Sequence, residues 1–350
     1  MAHRRVLAVP AAAVALGALL LAGCGSESTE TSTGGDGGGS AGITVQASFY
    51  PLQWMAEQVG GDLVEVSNLT PSGAEAHDLE LTPRDVAALS DADVVAFLSG
   101  FQPAVDEALE GSDATAFDAA DHADLSLTLD GDAHDHEHEG EDEAHADEEK
   151  AHSDEEEAHS DEEAHSDEED HDHAEEGGTD PHFWLDPTRL AAVGEAFADT
   201  LAEVDPDNAE TYAANAEAMA AELMDLDGEI EAAVSSCEST DLVTSHGAFG
   251  YFADRYGFEP VGISGLSPNE EPSAGRLAEV AEFVADNDVR TIYFETLVSP
   301  DLAETLASET GAETDVLDPL EGLTDESQGA DYLEVMRANL ANVQAGQPCP

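Results

Sequence analysis

Between Asp130 and Glu176 the chain carries 25 Asp or Glu, nine His and a single cationic side chain, Lys150, and its largest apolar side chain is Ala. Such a stretch cannot bury enough apolar surface to offset the entropy of ordering it. Any packed core must therefore come from the sequence on either side, with this segment as an insert. The stretch is a near-repeat, Ala144-His145-Ala146-Asp147-Glu148-Glu149-Lys150 followed by Ala151-His152-Ser153-Asp154-Glu155-Glu156-Glu157 and shorter copies from Ala158 and Ala164. A heptad-like period without an apolar seam excludes a coiled coil, so the segment is expected to be disordered in the absence of a ligand.

The rest of the chain is acidic as well. Eighty acidic residues stand against nine Lys and Arg in 350 residues, a formal charge of -71. That balance excludes a nucleic-acid binder, which needs a basic surface to displace counterions from phosphates. It also predicts a fold whose self-repulsion is relieved by salt. Hydrophobic residues make up 41% of the chain, enough for a packed core in two domains or one large one.

The N-terminus reads as an export leader. Arg4 and Arg5 precede an apolar run from Val6 to Gly23, and Leu21-Ala22-Gly23-Cys24 resembles the lipobox of bacterial lipoproteins. Cleavage before Cys24 and its lipidation would tether the chain to the outer face of the cytoplasmic membrane, at the cell surface or in the periplasm; the alternative is an uncleaved signal-anchor helix. Gly25 to Gly42 is a Gly, Ser and Thr-rich tether. In an oxidising exterior the remaining Cys237 and Cys349 are expected to pair, the alternative being two buried thiols.

From Ile43 onward strand-like and helix-like runs alternate. Ile43 to Phe49, Leu63 to Leu69 and Asp93 to Leu98 read as strands, with helices at Pro51 to Val59 and Thr82 to Leu89. Beyond the insert, Pro187 to Glu203 and Ala209 to Val234 are long helices, the latter started by Asp205-Pro206-Asp207. A second alternating run gives strands at Asp241 to Thr244, Glu259 to Ile263, Arg290 to Phe294 and Glu313 to Leu317. Its helices fall at Ala248 to Tyr256, Ser273 to Asn287, Pro300 to Thr310 and Tyr332 to Val343. The expected class is α/β, with two lobes, each a parallel sheet flanked by helices, joined by a long rigid helix and separated by a cleft. The expected division is 1–23 leader, 24–42 tether, 43–204 first lobe with the insert at 130–179, 205–236 linking helix and 237–350 second lobe.

Outside leader and insert the chain has His77, His122, His182 and His246. His77 and His246 follow strands, His182 precedes the long helices, and Asp318 follows the strand Glu313 to Leu317. Ligands of open α/β sheets collect at the carboxyl ends of the strands, so these groups could converge from two lobes. Three imidazoles and a carboxylate suit tetrahedral Zn²⁺. His122 has no strand before it and reads as a surface residue.

At this point the chain resembles the metal-binding receptors of bacterial ABC importers, specifically the zinc-binding ZnuA-like group. The resemblance rests on the blocks Pro71-Ser72-Gly73-Ala74-Glu75-Ala76-His77-Asp78 and Asp180-Pro181-His182-Phe183-Trp184-Leu185-Asp186-Pro187. It rests further on Ser245-His246-Gly247-Ala248-Phe249-Gly250-Tyr251, Ile263-Ser264-Gly265-Leu266-Ser267-Pro268 and Leu317-Asp318-Pro319-Leu320. It implies metal ligands at His77, His182 and His246 with Asp318 as the fourth, Glu75 or a water being the alternatives there. His246, where manganese members usually carry Glu, favours zinc over Mn²⁺. The resemblance also implies that the insert, with His134, His136, His138, His145, His152, His159, His165, His171 and His173, gathers or senses metal. Read from its residues alone, it would bind zinc weakly at several sites, less so on acidification, or serve as a plain acidic spacer.

The function expected is a monomeric, lipid-anchored receptor that passes Zn²⁺ to an ABC permease energised by a separate ATPase chain. It is not expected to be an enzyme: four protein ligands leave no open metal position, and neither H-E-x-x-H nor a phosphate-binding G-x-x-x-x-G-K-[ST] loop occurs. The alternatives are a zinc hydrolase, a manganese or iron receptor of the same family, and a cell-surface metal buffer or adhesin whose working part is the insert.

Overall fold

The computed structural model of the chain describes residues 42–128 and 178–349. The leader, Cys24, the tether up to Ala41 and all nine histidines of the insert lie outside the described residues. The first half runs β1 (Ile43–Ala47), α1 (Tyr50–Gly60), β2 (Val64–Asn68), α2 (Pro83–Asp91), β3 (Val94–Phe97), α3 (Pro103–Leu109), β4 (Thr115–Asp118) and α4 (Ala120–Ala123). Helices α5 (Pro187–Val204) and α6 (Ala209–Val234) follow. The second half runs β5 (Asp241–Thr244), α7 (Gly250–Tyr256), β6 (Glu259–Gly262), α8 (Ala274–Asp286), β7 (Thr291–Phe294), α9 (Asp301–Thr310), β8 (Glu313–Val316) and α10 (Tyr332–Gly346).

Each half builds a four-stranded, all-parallel sheet with the same strand order, β2-β1-β3-β4 and β6-β5-β7-β8. The central strands are short apolar runs because helices cover both faces: Val45 and Ala47 of β1 and Val94, Val95 and Ala96 of β3 are fully buried. The helices start where side chains satisfy the first free N–H groups. Thr82 and Asp85 exchange hydrogen bonds in a capping box at α2, and Asp186, Ser273 and Asp331 cap α5, α8 and α10.

Because β1 is flanked by β2 on one side and β3 on the other, the chain leaves it in opposite directions, and the same holds at β5. A crevice therefore opens at the carboxyl ends of both sheets. At the edge of the first lobe, Thr128 and Thr179 form an antiparallel bridge and Asp180 N donates to Leu127 O, so the insert leaves and returns at one point.

Helix α6 buries Tyr212, Ala216, Met219, Leu223, Leu226, Ile230 and Val234, a stripe spaced three to four residues apart, with Asp227 buried beside it. Its neighbours are α1 and α5 of the first lobe and α7 and α10 of the second. Asp205 does not cap it directly: Pro206–Asn208 forms a 3₁₀ turn first, and the Asp205 carboxylate accepts from Asn208 Nδ2 and Tyr212 Oη.

The largest apolar cluster is shared by both lobes, including Phe49, Phe101 and Trp184 from one side and Tyr293, Leu317, Leu320 and Tyr332 from the other. Trp184 Nε1 donates to Pro319 O at 2.7 Å, Tyr332 Oη donates to Trp184 O at 2.6 Å, and the Tyr332 ring stacks on Trp54 at 4.8 Å. A disulfide joins Cys237, just past α6, to Cys349, 112 positions away, and Glu238 N donates to Pro348 O beside it.

Candidate metal centre

His77 lies in the loop after β2, His246 two residues beyond β5, and His182 at the start of a 3₁₀ turn (Phe183–Leu185) that leads into α5. The structure brings these three imidazoles together with the carboxylate of Glu321, one donor atom from each lying within 4.8 Å of the others. Glu321 Oε1 is 3.4 Å from His77 Nε2 and 3.3 Å from both His182 Nε2 and His246 Nε2, and the Nε2 atoms of His77 and His182 are 3.3 Å apart. A tetrahedral ion with bonds of about 2.0–2.1 Å requires its ligand atoms about 3.3–3.4 Å from one another, the spacing found on these four edges.

The donors are also chemically unsatisfied. His246 Nε2 and both oxygens of Glu321 are buried without a hydrogen-bond partner, so the contacts around Oε1 are close approaches rather than hydrogen bonds. Burial without pairing costs such groups dearly, and a cation among them would remove the cost. Three neutral nitrogens and one carboxylate oxygen fit Zn²⁺ better than the oxygen-rich sets preferred by Mn²⁺.

Two of the imidazoles are aimed from behind. His182 Nδ1 bonds Asp180 Oδ1 at 2.8 Å, and His246 Nδ1 bonds Glu295 Oε1 at 2.7 Å, with Ser245 Oγ donating to the same oxygen. A carboxylate on Nδ1 fixes the tautomer, turns Nε2 toward the metal and raises its basicity. Burial pulls the pKa of His246 down, but Glu295 and Glu321 outweigh it and push it up to about 10. Burial likewise opposes a charged His182, and Asp180 and Glu321 raise it. Burial disfavours the Glu321 carboxylate, yet His182, His246 and His77 hold it well below the usual carboxylate range.

Asp318, expected as the fourth ligand, is not in the group; the carboxylate that faces the three imidazoles is that of Glu321, three residues on. The Asp318 carboxylate is spent on the loop: Oδ1 accepts from Leu320 N, and Oδ2 accepts from Thr296 Oγ1 and Ser327 Oγ. Leu320, the residue directly before Glu321, adopts a positive φ of 63°. The alternative Glu75 also stands outside the group. Its oxygens accept from His77 N and Asp78 N, and burial first, then Glu321, raises its pKa to about 7. His122 is exposed and stacked on Phe117 at 5.3 Å. Asp180, two residues before His182, orients it by a local contact, whereas Glu295, just past β7, reaches His246 by a tertiary contact that no spacing in the sequence announces.

Comparison with known proteins bears on what this centre holds. The model of the family described as "Zinc-uptake complex component A periplasmic" matches residues 45–346. The chain is 35% identical over 328 residues to the high-affinity zinc uptake system protein ZnuA of Bacillus subtilis strain 168, covering 92% of each. It is 34% identical to the zinc-binding protein AdcA of Streptococcus pyogenes serotype M3, aligning over 86% of its own length but only 55% of that longer protein. The solved structure of the Zn(II)-bound ZnuA-like domain of Streptococcus pneumoniae AdcA superposes with a TM-score of 0.65 at 32% identity, covering 88% of this chain and 99% of that one. With two parallel four-stranded sheets facing a buried His₃Glu group and a family match across nearly the whole described fold, this chain belongs to the ZnuA family of zinc-uptake components.

Proposed function

We propose that the chain is an extracytoplasmic receptor that captures Zn²⁺ between its lobes and hands it to an ABC-type importer, through a permease and a separate ATPase. The observation that carries this reading is the spacing of 3.3–3.4 Å around the unpaired Glu321 oxygen, which suits a tetrahedral zinc with four protein ligands. The names of its relatives, a zinc uptake protein and a zinc-binding protein, and a Zn(II)-bound neighbour support it. His77, His182, His246 and Glu321 act as the ligands, and Asp180 and Glu295 as the groups that orient two of them. Four protein donors leave no open position for a substrate or an activated water, so the centre binds and releases its cargo without chemistry. The lipobox at Cys24 would anchor the receptor beside its permease, and the histidines of the insert would collect zinc weakly.

The reading is tested by calorimetric titration of the chain starting after Cys24, with and without residues 132–176, against Zn²⁺ and Mn²⁺. One tight Zn²⁺ site that survives deletion of the insert and disappears in His246→Ala is expected. Weak binding that depends wholly on the insert would instead make the protein a metal buffer.

A further inference from the structure

We propose that Gln102 is a positioning residue for His77 and sets how fast the centre lets go of its metal; the inference rests on the receptor reading above. The three imidazoles are not held alike. His182 and His246 have carboxylates on Nδ1 and side chains 0% and 1% exposed, whereas the His77 side chain is 11% exposed and no carboxylate among the described residues bonds its Nδ1. His77 is thus the ligand through which metal would leave first, and its position must come from its own main chain and from packing.

Both come from one dipeptide, Phe101-Gln102, between β3 and α3. The Phe101 ring, itself buried, meets the His77 ring edge-on with centroids 4.6 Å apart. The Gln102 side chain, 2% exposed, donates from Nε2 to Ala76 O at 3.0 Å, the carbonyl directly before His77. The same Nε2 donates at 3.0 Å to Thr70 Oγ1, which donates in turn to Ser48 O at 2.7 Å. The network therefore runs from the end of β1 across the loop that follows β2 to the residue carrying the ligand. A buried amide satisfied on two sides is costly to break, so it holds Ala76, and with it the His77 backbone, against the sheet. For the least buried ligand it does what Asp180 and Glu295 do for the other two, acting through the main chain instead of the ring.

The test is the rate of zinc release from the full chain, followed after mixing with excess chelator. Gln102→Leu removes the donor. Gln102→Glu keeps the volume but sets an acceptor against the Ala76 carbonyl, and it serves if the first variant does not fold. Each is expected to release zinc about tenfold faster than the parent, the lower end of the 10–100-fold effects of groups that orient metal ligands. Val284→Ala, in the separate core of the second lobe, should lower the melting temperature without changing the rate. In a His77→Ala background Gln102→Leu should add nothing, because the two act as a unit. A parental release rate in both Gln102 variants, or an equal acceleration in the His77→Ala background, would overturn the proposal. A parent with no slowly released zinc would overturn the receptor reading itself, and shows before any substitution is made.

Discussion

Asp318 and Glu321 follow the same strand three residues apart, both are buried, and both carry a carboxylate, yet only Glu321 faces the histidines. Between them stands Leu320 with a positive φ, and the Asp318 carboxylate is spent on Leu320 N and two hydroxyls of the surrounding loops. No pattern of residue types announces a left-handed leucine, which is why the loop is legible as a source of a carboxylate while the choice between the two carboxylates is not. Glu321→Ala is expected to weaken zinc binding by more than the 10–100-fold typical of an orienting group, and Asp318→Ala to stay within about that range. Competition titration against a chelator of known affinity decides this, and an Asp318→Ala loss as large as that of Glu321→Ala would restore Asp318 as the ligand. Ligation also needs neutral imidazoles. The surrounding carboxylates raise both His182 and His246, His246 up to about 10, so zinc must displace a proton from His246 at neutral pH. Apparent affinity should therefore rise with pH and fall on acidification, and calorimetry in buffers of different ionisation enthalpy should show protons released on binding. In the metal-free chain the sign is opposite: these raised groups stabilise the fold fully below about pH 6.5, and the contribution is lost as pH rises toward their folded values.

Among the elements, those with a long amphipathic stripe or an isolated apolar run could be read from the chain directly. Helix α6 begins and ends at the residues its pattern indicates, and β5 occupies Asp241 to Thr244. The elements that escaped are α3, β4 and the four-residue α4. Strand β4 is a four-residue edge strand in which only Phe117 is buried, too short for an alternation to appear, and α3 is a seven-residue helix with Val105 alone buried. Strand β4 exists because β3 pairs with it, and α3 because Val105 packs with Val95 of β3 and Leu89 of α2, tertiary causes that local sequence does not carry. Helix α6 makes its own commitment to the second lobe through a charge. Asp227, 4% exposed on its buried face, accepts Arg255 Nε at 2.8 Å, Arg255 Nη2 at 2.6 Å and Tyr256 Oη at 3.1 Å from α7. Asp227→Ala removes the acceptor from three donors at once. Since Arg255 is partly open to water, the loss is expected at about 2–3 kcal/mol, below the 3–5 kcal/mol of a fully buried pair. Denaturant unfolding measures it, and a change under 1 kcal/mol would show that Arg255 finds water instead.

For the molecule as a whole, two opposing features set the behaviour. The lobes share one apolar cluster, pinned by the Trp184 and Tyr332 hydrogen bonds and by a helix that packs on both, so a wide hinge opening would expose surface that is now buried. Against this cohesion stands the charge of -71. The described residues contain no lysine and six arginines, among them Arg189, Arg255 and Arg337, whose ion pairs with Asp186, Asp227 and Glu229 leave most surface carboxylates facing like charges. Repulsion of this kind reaches across about 10 Å at 0.1 M salt and about 3 Å at 1 M, so added salt should tighten the fold. The melting temperature of the metal-free chain is expected to rise by several degrees between low and molar sodium chloride, with most of the rise at the lower concentrations, where the screening length changes fastest. Chloride is the anion to use, because sulfate strengthens apolar burial in any protein and would hide the electrostatic part. Deleting residues 132–176 removes most of the local charge of the insert, so the two chains separate its repulsion from that of the folded surface. If both rise alike, the acidic surface of the lobes is the source. A melting temperature indifferent to chloride in both would mean that the shared core and the disulfide outweigh the repulsion.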